Sequence, residues 1–160
     1  MDAGIGFFEP STLRELHLQM EPLPDKGAEV VFHPRFFPQL VGEGSLALSA
    51  LHHLPLCLSE QTRYFRRYLD NHFLDAAITP RVIVETSSVF QLSQAALVGL
   101  GCLISPRGHL PDEMMSTLQS RLLAIAPMSR QAAVVVAAPG RATPLAQHFF
   151  DWIRQWLAEQ

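Results

Sequence analysis

The stretch that decides the fold is "SSVFQLSQAALVGLGCLISPRG", Ser87 to Gly108. It runs from a polar doublet through apolar residues at helical spacing to Gly99-Leu100-Gly101 and a strand-like segment at Cys102–Ile104. A dinucleotide fingerprint would place G-x-G-x-x-G after a strand, where it opens a helix. Here the glycines follow a helix predicted over Ser88–Leu97 and precede the strand, and no third glycine stands in place. Gly99 or Gly101 is therefore expected to close the helix in the left-handed conformation and to allow close packing. Just upstream, "RVIVET" (Arg81–Thr86) has a continuous Val82-Ile83-Val84 centre. That is the pattern of a parallel strand buried on both faces.

Working outward, the chain alternates strand and helix. Strands are expected at Asp2–Phe8, at Glu15–Leu23 (where Leu16, Leu18 and Met20 alternate with His17, Gln19 and Glu21), and at Ala28–Pro34. A short helix at Leu46–His52 and a strand at Leu54–Leu58 follow. "SEQTRYFRRYLDNHF" opens with hydroxyl-bearing helix-start residues, and its Tyr64, Phe65, Tyr68, Leu69, His72 and Phe73 recur at three- and four-residue spacing. Beyond Gly108 the pattern predicts a short helix near Asp112–Gln119 and strands at Leu122–Ala126 and Ala132–Ala138. A closing helix carries Leu145, Phe149, Trp152, Ile153 and Trp156 as one apolar stripe. Alternating strands and helices of this kind predict an open α/β sheet with helices on both faces.

Composition narrows the function. The 160 residues are 48% hydrophobic, enough for a real core, since a chain of this length buries roughly 68–70% of its unfolded surface. Net charge is −3, and one lysine and eleven arginines are scattered among twelve basic residues, so no basic run marks a nucleic-acid binder. Cys57 and Cys102 sit in apolar strand contexts without a CxxC, as buried thiols of a reducing compartment do. No signal sequence and no apolar run of about 20 residues is visible, so the expected location is cytoplasmic and away from membranes.

The chemistry expected of the residues is binding rather than catalysis. His52-His53 has no Asp, Glu or Cys at ligand spacing, and neither HExxH nor G-x-S-x-G occurs, so no metal, cofactor or enzyme activity is expected. Thr86, Ser87 and Ser88 lie where a strand ends and a helix begins, and Ser59 and Thr62 repeat the arrangement after "PLCL". Helix N-termini there offer unpaired N–H groups and a favourable dipole to an anion or carbonyl, at the strand ends where open α/β sheets bind ligands. The same residues also read as ordinary N-caps.

These residues carry a resemblance. "ALVGLGCLISP" (Ala96–Pro106) resembles the element of LysR-type transcriptional regulators written V-A-A-G-L-G-I-A-L-L-P. In the same order, "DAGIGF" is similar to the family's "lDlaI", "VVFHP" to "lvlv..hHPLa", "LALSALHHLPLCL" to "v.l.dL...p.I", and "ATPLAQHFFDWIRQWL" to "sPaar.Fldfl". The likeness runs from Asp2 to about Leu157.

The resemblance implies the effector-binding domain of such a regulator, with the type II periplasmic-binding-protein-like fold. Two α/β subdomains joined by a hinge would hold a small-molecule effector, for example a carboxylate or other anion, and the effector would bias their orientation. The first subdomain would be incomplete, comprising residues 1–54 plus 129–160, and the second would be 55–128. Ser59, Thr62, Thr86, Ser87 and Ser88 would line the second subdomain's side of the site, with Phe7 and Phe8 on the other. The family's DNA-binding helix-turn-helix and first strands have no counterpart in this sequence, so DNA contact would come only through that absent part. An apolar, unpaired edge at Ile5–Phe7 would favour homo-oligomers. A solute-binding protein of the same fold serving a transporter is the alternative.

Overall fold

The computed structural model describes residues 3–8, 10–128 and 131–159. Asp2 and Ser129, where the first strand and the return segment are expected to begin, lie outside them. The chain divides into two compact units, Met1–Asp25 with Pro127–Gln160, and Lys26–Ala126.

The first unit is a three-stranded antiparallel sheet in the order β1-β8-β2, formed by β1 (Ala3–Phe8), β2 (Gln19–Pro22) and β8 (Gln131–Val136). The segment expected as one strand over Glu15–Leu23 is broken. Helix α1 (Pro10–Glu15) comes first, and His17 takes a positive φ of 52° before β2 begins. Helix α5 (Pro144–Ala158) starts with Pro144 in its first turn, and the Thr143 hydroxyl accepts the Ala146 N–H at 3.3 Å, which caps the helix. Ala146 and Phe150 bury against Val134 and Val136, with Phe149 and Ile153 alongside. Alternate β8 residues Ala133 and Val135 pack with Phe8, Leu18 and Met20. The expected stripe on α5 is thereby corrected. Leu145 is 80% exposed, and Trp152 and Trp156 are exposed too. Phe149 and Ile153 pack as expected, while Ala146 and Phe150 take the fully buried places.

The second unit is a five-stranded mixed sheet in the order β5-β4-β6-β3-β7. Its strands are β3 (Ala28–Phe32), β4 (Pro55–Leu58), β5 (Arg81–Glu85), β6 (Cys102–Pro106) and β7 (Gln119–Leu122). β4 runs parallel to β5 and β6, whereas β3 is antiparallel to β6 and β7. Residues 26–54 therefore belong with this unit rather than with the first subdomain: β3, buried at every residue, hydrogen-bonds between β6 and β7. β5 is parallel as expected but stands at the sheet edge, so its residues alternate half-buried and exposed and Ile83 is 42% exposed. The expected helix at Leu46–His52 is a 3-10 turn, Leu48–Leu51. The expected helix at Asp112–Gln119 shortens to α4 (Asp112–Met115), which frees Gln119–Leu122 for β7.

Two helices complete the unit, α2 (Tyr64–Asp75) and α3 (Val89–Leu97). α3 lays Leu92, Ala95 and Ala96 on Val31, Cys57 and Leu103. α2 buries Phe65, Leu69 and Phe73. Gly99 does what its place implies. It has φ +75°, its N–H donates to the Ala96 carbonyl at 3.0 Å, and the Leu100 N–H donates to that of Ala95 at 2.9 Å, a Schellman closure of α3. Gly101 is a close-packing residue, since a Cβ there would lie 2.7 Å from the Pro55 carbonyl oxygen.

Candidate functional site

Because β4 and β5 are neighbouring parallel strands, the loops that leave their carboxyl ends lie side by side. Leu58 pairs with Glu85, and the Thr86 N–H donates to the Leu58 carbonyl at 3.3 Å. This sets Ser59 beside Thr86, with Ser87 and Ser88 following in the same segment. Phe7 and Phe8 belong to the first unit. Phe7 is exposed, while Phe8 packs against the Ala133 and Val135 face.

The two junctions are built differently. At β5–α3, Ser88 is the N-cap and its hydroxyl accepts the Gln91 N–H at 3.3 Å. Thr86 Oγ1 accepts the Ser88 N–H at 3.2 Å and donates to Gln91 Oε1 at 2.7 Å. Ser87 is exposed and does not cap. At β4–α2, neither Ser59 nor Thr62 caps the helix. Arg63 occupies the cap position and makes no side-chain cap hydrogen bond. Thr62 is exposed, whereas the Ser59 hydroxyl is buried and has no hydrogen-bond partner.

Arg66, one turn into α2, is the residue that sequence reasoning missed. It is buried, and its guanidinium donates to Asp70 at 2.8 Å, to the Ser59 carbonyl at 2.8 Å and to Glu85 at 2.7 Å. Burial works against its charge, but the hydrogen bonds and charges of Asp70 and Glu85 outweigh that, so its pKa lies above the usual arginine value. The signal is present as an Arg66–Asp70 pair at i,i+4, but nothing in the pattern shows that Glu85 arrives from the next strand. Arg66 ties both strand ends to α2. Its Nε–H and Nη1–H groups are engaged, so it positions the loops around Ser59.

Among the described residues no group of three or more His, Cys, Asp or Glu is arranged to hold a metal. Cys57 and Cys102 are fully buried free thiols. Burial pushes Cys57 up to about 11; burial, with Cys57 nearby, pushes Cys102 to about 12. Such thiols are poor nucleophiles at neutral pH. Among the described residues no helix is long and apolar enough to cross a membrane.

The fold recurs among known proteins. Among solved structures, the regulatory domain of CcmR from Synechocystis PCC6803 in complex with 2-PG superposes with a TM-score of 0.73 at 21% identity, covering 94% of this chain and 71% of that one. The effector-binding domain of QuiR in complex with shikimate gives 0.73 at 14% identity, covering 98% and 71%. Full-length CbnR in complex with its target DNA gives 0.67 at 13% identity, with 97% of this chain matching 53% of that one. At these identities the structures establish the fold, which is type II periplasmic-binding-protein-like. A search of curated proteins found no match. The sequence model described as the LysR substrate binding domain matches residues 1–158, so the chain belongs to the LysR substrate-binding domain family.

Proposed function

We propose that the chain is the effector-binding part of a cytoplasmic LysR-type regulator, without catalysis, and that it seats a small carboxylate or other anion at the β4–α2 junction. One observation carries this reading. The first turn of α2 has no side-chain cap, and beside it the Ser59 hydroxyl is buried without a partner. Buried polar groups are normally hydrogen-bonded, and a helix N-terminus favours negative charge. A ligand oxygen placed there accepts from both. Thr62, Thr86, Ser87 and Ser88 form the surrounding rim.

The neighbours support a small-molecule ligand, since one was solved with 2-PG and another with shikimate, a carboxylate. The effector acts by population shift, favouring the conformer it binds more tightly, and DNA contact belongs to a separate domain of the regulator. Such regulators work as oligomers, and we extend that to this chain. Solute binding for a transporter is not favoured by the family match.

The test is a thermal-shift screen of small carboxylates, shikimate among them, followed by backbone-amide mapping of each hit. A hit should move the amides of Phe65 and Arg66, and Ser59→Ala should weaken it about tenfold, as loss of a hydrogen bond to a charged group does. Hits that leave these amides unmoved and bind Ser59→Ala equally well would overturn the assignment.

A further inference from the structure

The second unit carries another cavity, of about 500 Å³, on the sheet face that α4 covers. Its walls come from β3, α4 and the loop after β6, and include Lys26, Glu29, Arg107, Leu110, Asp112 and Met115. None of these belongs to the β4–α2 or β5–α3 junction, so the cavity is independent of the anion seat already proposed.

The lining residue Glu29 has an unusual neighbour for a sheet interior, Ser105, which lies behind the cavity wall rather than on it. Glu29 is 5% exposed and Ser105 4% exposed, and the two stand directly opposite each other across the β3–β6 ladder. Residues opposed in this way project to the same face, with Cβ atoms about 4.5–5.5 Å apart. One Glu29 oxygen accepts the Gly108 N–H at 3.1 Å, and among the described residues no cation forms an ion pair with this carboxylate. The Ser105 hydroxyl has no hydrogen-bond partner at all. A buried carboxylate without a counter-charge, next to a buried hydroxyl without a partner, is costly unless something else completes it.

The rest of the cavity indicates what completes it. Lys26 and Arg107 are exposed on its wall, and the Arg107 N–H is held on the Gly27 carbonyl at 2.8 Å, which keeps the two cations together. Leu110 and Met115 supply apolar surface that is continuous with the core under α3. The arrangement is therefore a buried carboxylate, two cations with the exposed Asp112 at the rim, and an apolar wall between them.

We propose that this cavity binds a small zwitterion, an α-amino acid with an apolar side chain. The ammonium group donates to the Glu29 carboxylate. The ligand carboxylate meets Lys26 and Arg107, and its side chain lies on Leu110 and Met115. Recognition needs both ligand charges, which separates this site from the anion seat at β4–α2.

L-leucine, leucinamide and 4-methylpentanoate are the probes, the last two each lacking one of the two ligand charges. Titrations of the 160-residue chain are followed at the Gly108 amide. L-leucine should shift that amide and saturate with a dissociation constant on the order of millimolar, and each single-charge analogue should bind at least about tenfold more weakly. Glu29→Gln should weaken leucine by about tenfold, since a charge-assisted hydrogen bond is lost. Should Glu29→Gln fail to fold, Arg107→Gln supplies the same comparison and is expected to weaken leucine severalfold. A Gly108 amide that does not respond to leucine at about 20 mM, well above millimolar affinity, overturns the proposal. So does 4-methylpentanoate binding as tightly as leucine. Unchanged leucine affinity in the folded variants has the same meaning. Ser59→Ala should leave leucine binding unchanged, which keeps failure here distinguishable from failure at the β4–α2 seat.

Discussion

The β4–α2 and β5–α3 junctions start from the same ingredients, a parallel strand followed by hydroxyl side chains and a helix. They differ in how their polar groups are satisfied. At β5–α3 the protein closes the turn itself, with Ser88 on the Gln91 N–H and Thr86 on Gln91. At β4–α2 no side chain caps the helix, and the Ser59 hydroxyl is left without a partner. Hydroxyl residues near a helix start therefore do not by themselves mark a ligand seat. Those that their own helix has already engaged are caps, and those left over are available to a ligand.

The comparison can be broken at several points. The largest expected effect concerns the strands beneath the junctions, because β4 and β6 carry the two buried thiols. With folded pKa values raised to about 11 and about 12, both thiols stay protonated in the native state, whereas in the unfolded chain they ionise near 9. Their contribution is fully present below pH 9 and is lost as the pH rises toward the folded values. Each thiol withdraws about 1.4 kcal/mol per pH unit across that interval. Urea unfolding from pH 8 to 10.5 should show the decline, and Cys57→Val with Cys102→Val should flatten it. A wild-type profile as flat as the double variant's would contradict the burial of these thiols.

A smaller effect is expected at Arg66, which holds the two junctions together. Removing one partner of a buried ion pair costs about 3–5 kcal/mol, but the Asp70 and Glu85 side chains remain 37% and 40% exposed and water can take them back. Arg66→Met should therefore destabilise by about 2–3 kcal/mol in urea. It should also broaden or shift the amides of both loops. If only the α2 side responds, the tie to Glu85 carries no weight.

Much of this architecture is legible in the residues alone. The role of Gly99-Leu100-Gly101 follows from element order, because a glycine that follows a helix has a steric reason to be there that a phosphate loop does not supply. What the sequence does not show is which strand pairs with which. Val82-Ile83-Val84 looks like a strand buried on both faces, yet β-branched residues favour extended backbone at a sheet edge as well. Val30-Val31-Phe32 reads as a strand, which it is, but its pattern does not place it in the second unit, since period and hydrophobicity do not encode sheet membership. At the site, Ser88 is identifiable as a helix start. The partnerless state of Ser59 is not, because it depends on α2 beginning at Tyr64 and on Glu85 reaching Arg66 from another strand.

The smallest expected stability effect tests the central contrast most directly. Ser59→Ala and Ser88→Ala are compared by urea unfolding, with and without the best carboxylate from the thermal-shift screen. Loss of the Ser88 cap should cost about 1 kcal/mol and leave the ligand's stabilisation intact. Loss of the unpartnered Ser59 hydroxyl should change stability by no more than about 0.5 kcal/mol, or raise it, and should remove most of that stabilisation. A Ser59→Ala protein that loses about 1 kcal/mol or more yet is still stabilised by the carboxylate would contradict the account, because Ser59 would then belong to the scaffold and the seat would lie elsewhere.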